Sequence, residues 1–222
     1  MIGWALGVAA STVYAVLRRH GRSRLATRSQ REEVVRYERS RPGELVHVDA
    51  KKLGRILKPG HRVTGDRRGQ ANGKAGWQHL FVAIDDHSRL GFAAVYPDET
   101  TASATAFLDE LVRFYRAHGI SVERVLSDNG ACFQRRWAEA CASRGIGIRK
   151  TRPYRPQTNG KAERFIRTLL ERWAYAHPYT HESERLAALA PTLDFYNRTR
   201  PHRALGGLAP LQRVNNLPGT YS

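Results

Sequence analysis

Three carboxylates stand out by where they fall. Asp49 closes the apolar stretch ELVHVD, Asp128 sits in the turn-forming SDNG behind a second apolar stretch, and Glu163 lies one turn into the helical pattern NGKAERFIRTLL. Two strand ends and a helix start are places that a folded sheet can bring to one edge. Three carboxylates within a few ångströms of one another would raise each other's pKa and protonate. A hard divalent cation such as Mg²⁺, with Mn²⁺ able to substitute, would hold them ionised through oxygen ligands. Two such ions about 3.5 to 4 Å apart can activate an attacking oxygen and stabilise a leaving oxygen in an in-line phosphodiester displacement. That chemistry needs no nucleophilic serine, cysteine or lysine.

Taken singly, each acid has a plainer role. Asp49 could end a strand, Asp128 with Asn129 and Gly130 could form an ordinary turn, and Glu163 could pair with Arg167 four residues on for a few tenths of a kcal/mol. The joint placement carries the metal reading. In the helical projection Phe165, Ile166, Leu169, Leu170 and Trp173 share one face, which leaves Glu163 at the border between the buried and solvent sides.

The elements that must position these groups follow from the pattern of apolar residues. Residues 44–49 read as a first strand, 77–85 (WQHLFVAID) as a strand buried on both faces, and 90–96 as a third, turned back by Asp86-His87-Ser88-Arg89. Ala104, Phe107, Leu108, Leu111, Val112 and Tyr115 keep the 3.6-residue period of a helix, with Thr100 or Thr101 as cap and Gly119 as its close. Then come a strand at 122–126, a helix at 131–143, a strand at 146–148, a long helix from 160 to about 176, and a last helix over about 183–196. The order β, β, β, α, β, α, β, α is that of a ribonuclease H-like α/β fold, a mixed five-stranded sheet flanked by helices.

Charge narrows the partner. The 222 residues carry 37 Lys+Arg against 20 Asp+Glu, a formal net charge of +17. Coding bias can favour arginine, which supplies 31 of those cations, but not an excess of cations over anions. Such a surface attracts polyanions, with nucleic acid ahead of an anionic membrane. Cys132 and Cys141 lack metal-site spacing and read as reduced thiols in a cytoplasmic protein. His177 and His181 are split by Pro178 and read as a turn.

The uncharged segment 1–17 lacks the basic flank of a signal peptide. It reads as the end of a helix-turn-helix: a short helix at IGWAL, a turn near Gly7, and a second helix capped by Ser11 with Val13, Val16 and Leu17 facing inward. The expected organisation is therefore a helix-turn-helix remnant over 1–22, a basic linker with a short helix near 32–38 over 23–41, a catalytic core over 42–200, and a C-terminal tail over 201–222. A glycine-rich basic insertion at 53–76 either folds onto DNA or stays a hairpin.

The stretches PGELVHVDAKKLG, HLFVAIDDHSRLGFAAVYPDET, VLSDNG, TRPYRPQTNGKAERFIRTLLERWAY and FYNRTRPHRALGG resemble the DDE transposases of bacterial insertion sequences, which have a retroviral-integrase-type core. The resemblance spans about residues 41–213. Asp128 and Glu163 are 35 apart, close to the family's interval. The resemblance implies that Asp49, Asp128 and Glu163 are the catalytic, metal-binding triad. It also implies cleavage of double-stranded DNA at transposon ends followed by strand transfer into target DNA, in a dimer or larger assembly. The expected DNA contacts are Lys51, Lys52 and Asn129, with Arg155, Gln157, Asn159, Lys161 and Arg164 on the approach YRPQTNGKAER, although Arg164 could be a solvated helix face. Asp85 and Asp86 are accounted for by the hairpin turn, Asp109 and Glu110 by solvent, and His202 by packing or DNA contact. Two other readings remain: a catalytically silent DNA-binding remnant, and a nuclease of RNA:DNA hybrids.

Overall fold

The computed structural model describes residues 6–22, 38–65, 75–151 and 159–215. The chain forms two compact units, Met1–Tyr37 and Glu38–Ser222. In the first, helix α1 spans Ala10–Arg19, behind a turn at Gly7 whose φ is +64°. Its N-cap is Ala9, with no side-chain cap. Ser11, expected as the cap, is inside the helix. Val13 and Leu17 are half-buried and Val16 is exposed. Most of the helix expected at IGWAL and most of the expected linker helix lie outside the described residues.

In the second unit, strands β1 (Val46–Gly54), β2 (Trp77–Asp85), β3 (Gly91–Tyr96), β4 (Arg124–Ser127) and β5 (Gly147–Lys150) form one sheet in the order β3-β2-β1-β4-β5. The β1–β2 and β2–β3 pairs are antiparallel and β1–β4 and β4–β5 parallel. This is the mixed five-stranded, ribonuclease H-like sheet that the element order implies. β1 runs five residues beyond its expected end at Asp49, because it pairs with β2 all the way to Gly54↔Trp77. The exposed Lys51 and Lys52 disguise that extension in the sequence. After β1 comes the single turn α2 (His61–Thr64).

The sheet separates two cores. On one face Val46, Val48, Phe81 and Ala83 pack against Phe107 and Leu111 of α3 (Thr101–Ala117) and Trp137 of α4 (Arg135–Ala142). α3 starts where Thr100 accepts the Ser103 amide at 3.3 Å, and closes at Gly119, φ +72°. A 3₁₀ turn, Ala131–Phe133, precedes α4, so the helix expected from 131 is broken at Gln134.

On the other face Leu53, Leu80, Val82 and Ile84 meet Phe165 and Leu169 of α5 (Gly160–Leu169) and Trp173 in the π-helical turn Leu170–Ala174 that continues it. The fit is close at Gly91: a Cβ there would lie 2.5 Å from the Phe165 ring. Asn197 brackets the same residue, accepting the Gly91 N–H at 2.9 Å and donating to its carbonyl at 2.8 Å.

The last expected helix is two, α6 (Glu182–Ala187) and α7 (Leu189–Arg198). Pro191 has no N–H to bond back across the junction, but is tolerated in the first turn of α7. The buried Arg185 of α6 donates to Gly54 O at 2.7 Å and pairs with Glu182 at 2.8 Å, tying α6 to the end of β1. Residues 201–215 carry the 3₁₀ turn Arg203–Leu205 and α8 (Pro210–Asn215), whose Val214 is buried in the first core.

Candidate metal centre

Alternation along β1 decides what reaches the site. Val46 and Val48 point into the core beneath α3, so His47, Asp49 and Lys51 belong to the opposite face, where Leu53 packs beside α5. Asp49 is half-buried and its Oδ1 accepts the Ala50 amide at 2.8 Å. β4 lies parallel to β1, and Asp128 follows its last residue. Asp128 Oδ1 accepts the Gly130 amide at 2.9 Å. Glu163 stands exposed on the first turn of α5.

Asp49 feels the charge of the other two acids. Burial pushes the Asp49 carboxyl up to about 6; the Ala50 hydrogen bond opposes this, and the charges of Asp128, Glu163 and Glu99 add to it. Among the described residues no three His, Cys, Asp or Glu side chains converge tightly enough to hold a metal ion as they stand. The donor chemistry nevertheless fits a hard divalent cation: the charged groups acting on Asp49 are carboxylates, so the site presents oxygen and an unbalanced negative field.

The expected DNA contacts divide. Lys51, Lys52, Asn129 and Arg164 are exposed. The Lys52 ammonium lies 4.5 Å above the Trp77 ring, and Asn129 donates to Thr151 O at 3.3 Å. Arg155 and Gln157 lie outside the described residues. Asn159 and Lys161 are engaged within the protein. Asn159 is buried, its Oδ1 3.3 Å from His47 Nδ1 and its Nδ2 donating to Val48 O at 3.3 Å. Lys161 Nζ bonds both the carboxylate and the carbonyl of Asp86. Their amide and ammonium groups look inward because α5 docks its first turn directly over β1 and the β2–β3 turn.

That turn holds two fully buried acids. Asp85 accepts the Gly43 amide at 2.8 Å and the Ser88 amide and hydroxyl at 2.6 and 2.7 Å, fixing the turn as expected. Asp86 does more than turn the chain: it takes His47 Nε2 at 2.7 Å and the Arg39 amide at 2.7 Å as well as Lys161. Burial pushes the Asp86 carboxyl upward, but the bonds from His47, Lys161 and Arg39 outweigh it and hold it well below the usual carboxylate range.

Sequence reasoning overlooked Glu99, whose carboxylate lies 3.1 Å from His79 Nδ1 and 3.9 Å from Cys132 Sγ. Its place directly before the Thr100 cap, in PDET, is the signal that could have found it. Asp109 is exposed and paired with Arg144 at 2.7 Å, whereas Glu110 is half-buried and accepts the Tyr96 hydroxyl at 2.8 Å. His202 packs edge-on to Tyr196, and burial lowers its imidazole to about 4. Burial pushes both thiols up to about 12, which keeps them inert. No helix among the described residues is long and apolar enough to cross a membrane.

The mixed sheet thus carries one acid within β1, one directly after β4 and one on the first turn of α5. Two family models described as integrase core domain match residues 39–156 and 144–210. The chain belongs to the integrase core domain family. A putative transposase for insertion sequence element IS5376 of Geobacillus stearothermophilus is 26% identical over 83% of this chain and 44% of its own length. The Gag-Pol polyprotein of bovine immunodeficiency virus is 33% identical over 60% of this chain and 8% of its own. The chain thus spans less than half of either relative. Among solved structures, the catalytic core domain of BIV integrase is 26% identical with a TM-score of 0.52, covering 77% of this chain and 92% of that one. The HTLV-2 integrase catalytic core in complex with magnesium, in a trimeric form, is 16% identical with a TM-score of 0.55 over 78% and 97%, a likeness of fold.

Proposed function

We propose that this chain is the catalytic core of a transposase that cleaves DNA and joins the resulting ends to target DNA, with Asp49, Asp128 and Glu163 holding Mg²⁺ or Mn²⁺. The observation that carries this reading is the placement of Asp49 within β1, Asp128 directly after the parallel β4 and Glu163 on the first turn of α5, where burial first, and then the charges of the other two acids, raise the Asp49 carboxyl to about 6. A half-buried carboxyl set beside other carboxylates gains nothing from that field unless a cation binds there. When bound, the cation supplies Lewis-acid stabilisation of the charge that develops on the attacked phosphodiester. Asp49 and Asp128 offer oxygens from two adjacent parallel strands, each oriented by one backbone amide. Glu163 closes the set from the helix, and Lys51, Lys52 and Arg164 supply exposed charge that can meet phosphates. Joining two DNA ends requires at least two copies of the chain.

A second reading, a DNA-binding core without catalysis, is favoured by the carboxylates' failure to converge among the described residues. One assay separates the two. Supercoiled plasmid, and a labelled duplex of the encoding element's terminus, are incubated with protein and Mg²⁺ or Mn²⁺. Nicked and joined products are expected, at least about 100-fold reduced in Asp128→Asn. Salt-sensitive binding with no product under either ion, or an Asp128→Asn variant as active as the parent, leaves the non-catalytic reading standing.

A further inference from the structure

We propose that His47, Asp86, Asn159 and Lys161 form a positioning network that sets Glu163 of α5 opposite Asp49 of β1. This rests on the reading of the three acids as a metal centre. None of the four is assigned a role in the chemistry; they act through the backbone that carries the acids.

The geometry runs from strand to turn to helix and back. His47 and Asp49 are two residues apart on one face of β1, so whatever fixes the His47 ring fixes the neighbourhood of Asp49. The ring is 1% exposed and both its nitrogens are used, Nε2 on Asp86 and Nδ1 on Asn159. Asn159 is the N-cap residue of α5, a position where an asparagine ordinarily accepts an amide of its own helix. It makes no such bond; its side chain reaches across to His47 and to the Val48 carbonyl instead. The helix forgoes its own cap for a tie to the strand. One residue into the helix, Lys161 clamps Asp86 by both carboxylate and carbonyl. Asp86 in turn is held to the chain before β1 by the Arg39 amide at 2.7 Å, and its own amide donates to Leu45 O at 2.9 Å.

The network is closed. Each side-chain nitrogen and oxygen of His47, Asp86 and Asn159 has a partner, so it offers no vacant ligand position, and a satisfied buried network of this kind rigidifies what it joins. Glu163 lies four residues after Asn159 and two after Lys161, and is itself exposed. Its location is therefore fixed by the first turn of α5 and not by packing of its own side chain. Lys161 has accordingly the work of a strut, not chiefly that of a phosphate contact.

The test uses metal-free full-length protein and measures hydrogen exchange at the amides of Arg164, Phe165, Ile166 and Arg167, the first to bond back into α5. Asp86→Asn and Lys161→Met are each expected to speed exchange there at least about tenfold, with the amides in the middle of α3 unchanged and Lys161→Arg restoring most of the protection. The same proteins, titrated with Mn²⁺ and followed by electron paramagnetic resonance without DNA, are expected to bind it at least about tenfold more weakly than the parent. Lys161→Met serves where Asp86→Asn fails to fold, because Lys161 is only half-buried. Exchange in α5 equal to the parent's, or accelerated equally in α3, overturns the positioning role. So does Mn²⁺ affinity unchanged in Lys161→Met while DNA affinity falls, which is the signature of a phosphate contact. If the parent itself binds no Mn²⁺, the metal-centre reading fails, while the exchange data still decide whether the network holds the helix.

Discussion

Asp49 and His47 lie two residues apart on the same face of β1, and the protein treats them in opposite ways. Around His47 every donor has an acceptor: Asp86, Asn159 and Lys161 close a ring of bonds whose central carboxylate is held firmly ionised. Around Asp49 the balance is left open, with one backbone amide set against burial and three neighbouring carboxylates. Groups that build the scaffold are satisfied by the scaffold. A group that waits for something from outside is left in a field the protein does not neutralise, which is how perturbed titration marks functional sites.

Substitutions on the two sides should therefore have opposite signs. The largest effect is expected from Asp86→Ala, which strands His47 and Lys161 without their anion; removing one partner of a buried pair costs about 3 to 5 kcal/mol. Urea unfolding at pH 7 without metal measures it, and a loss under about 1 kcal/mol would erase the distinction between the two regions.

Asp49→Asn should do the reverse. The folded protein holds the Asp49 proton more tightly than the unfolded chain, whose ordinary value is 3.8 against about 6 here. The contribution of Asp49 to the stability of the metal-free parent is thus greatest below about pH 4, declines as pH rises through 6, and is level above that. With about 1.4 kcal/mol per pKa unit the decline amounts to at most about 3 kcal/mol. Asp49→Asn removes it, so this variant should melt higher than the parent at pH 8 while losing activity. Added Mg²⁺ should raise the parent's melting temperature and leave the variant's unchanged. A variant less stable than the parent at pH 8 would show that Asp49 is scaffold after all.

The smallest effect is expected from Glu99→Gln. Glu99 contributes least among the carboxylates acting on Asp49, so its neutralisation should lower the Asp49 titration midpoint by less than about one pH unit, read by carbon-detected NMR. A larger drop would make Glu99 a full member of the acidic centre.

Much of this division was legible in the residues, and the exceptions have physical reasons. A nearly continuous apolar run located β2 to the residue, and the 3.6-residue period located α3 with its cap narrowed to Thr100 or Thr101, because both elements are largely buried in the core. The three acids could be picked out because each ends or opens an apolar pattern in the sequence, although β1 itself continues five residues past Asp49. The network around His47 could not. A buried histidine in LVHVD, an aspartate in a turn and an asparagine before a helix each have ordinary local uses, and only the docking of α5 onto β1 converts them to one unit. For the same reason NGKAER suggested amide and ammonium groups facing DNA. Its Asn159 is instead drawn in by His47 and the Val48 carbonyl of β1, and its Lys161 by Asp86, all more than 70 positions away in the chain.

Gly91 extends the point to a residue that carries no chemistry. The Phe165 ring rests where a side chain at position 91 would begin, and Phe165 is two residues from Glu163. The Phe165 ring lies directly against the Gly91 backbone there, with Asn197 holding that backbone on both sides. A side chain at position 91 would have to displace the Phe165 ring, which is carried by the same helix as Glu163. Mutational tolerance at this position is therefore set by distance and not by polarity: a hydrogen atom is the full allowance beneath a ring of the helix that carries Glu163.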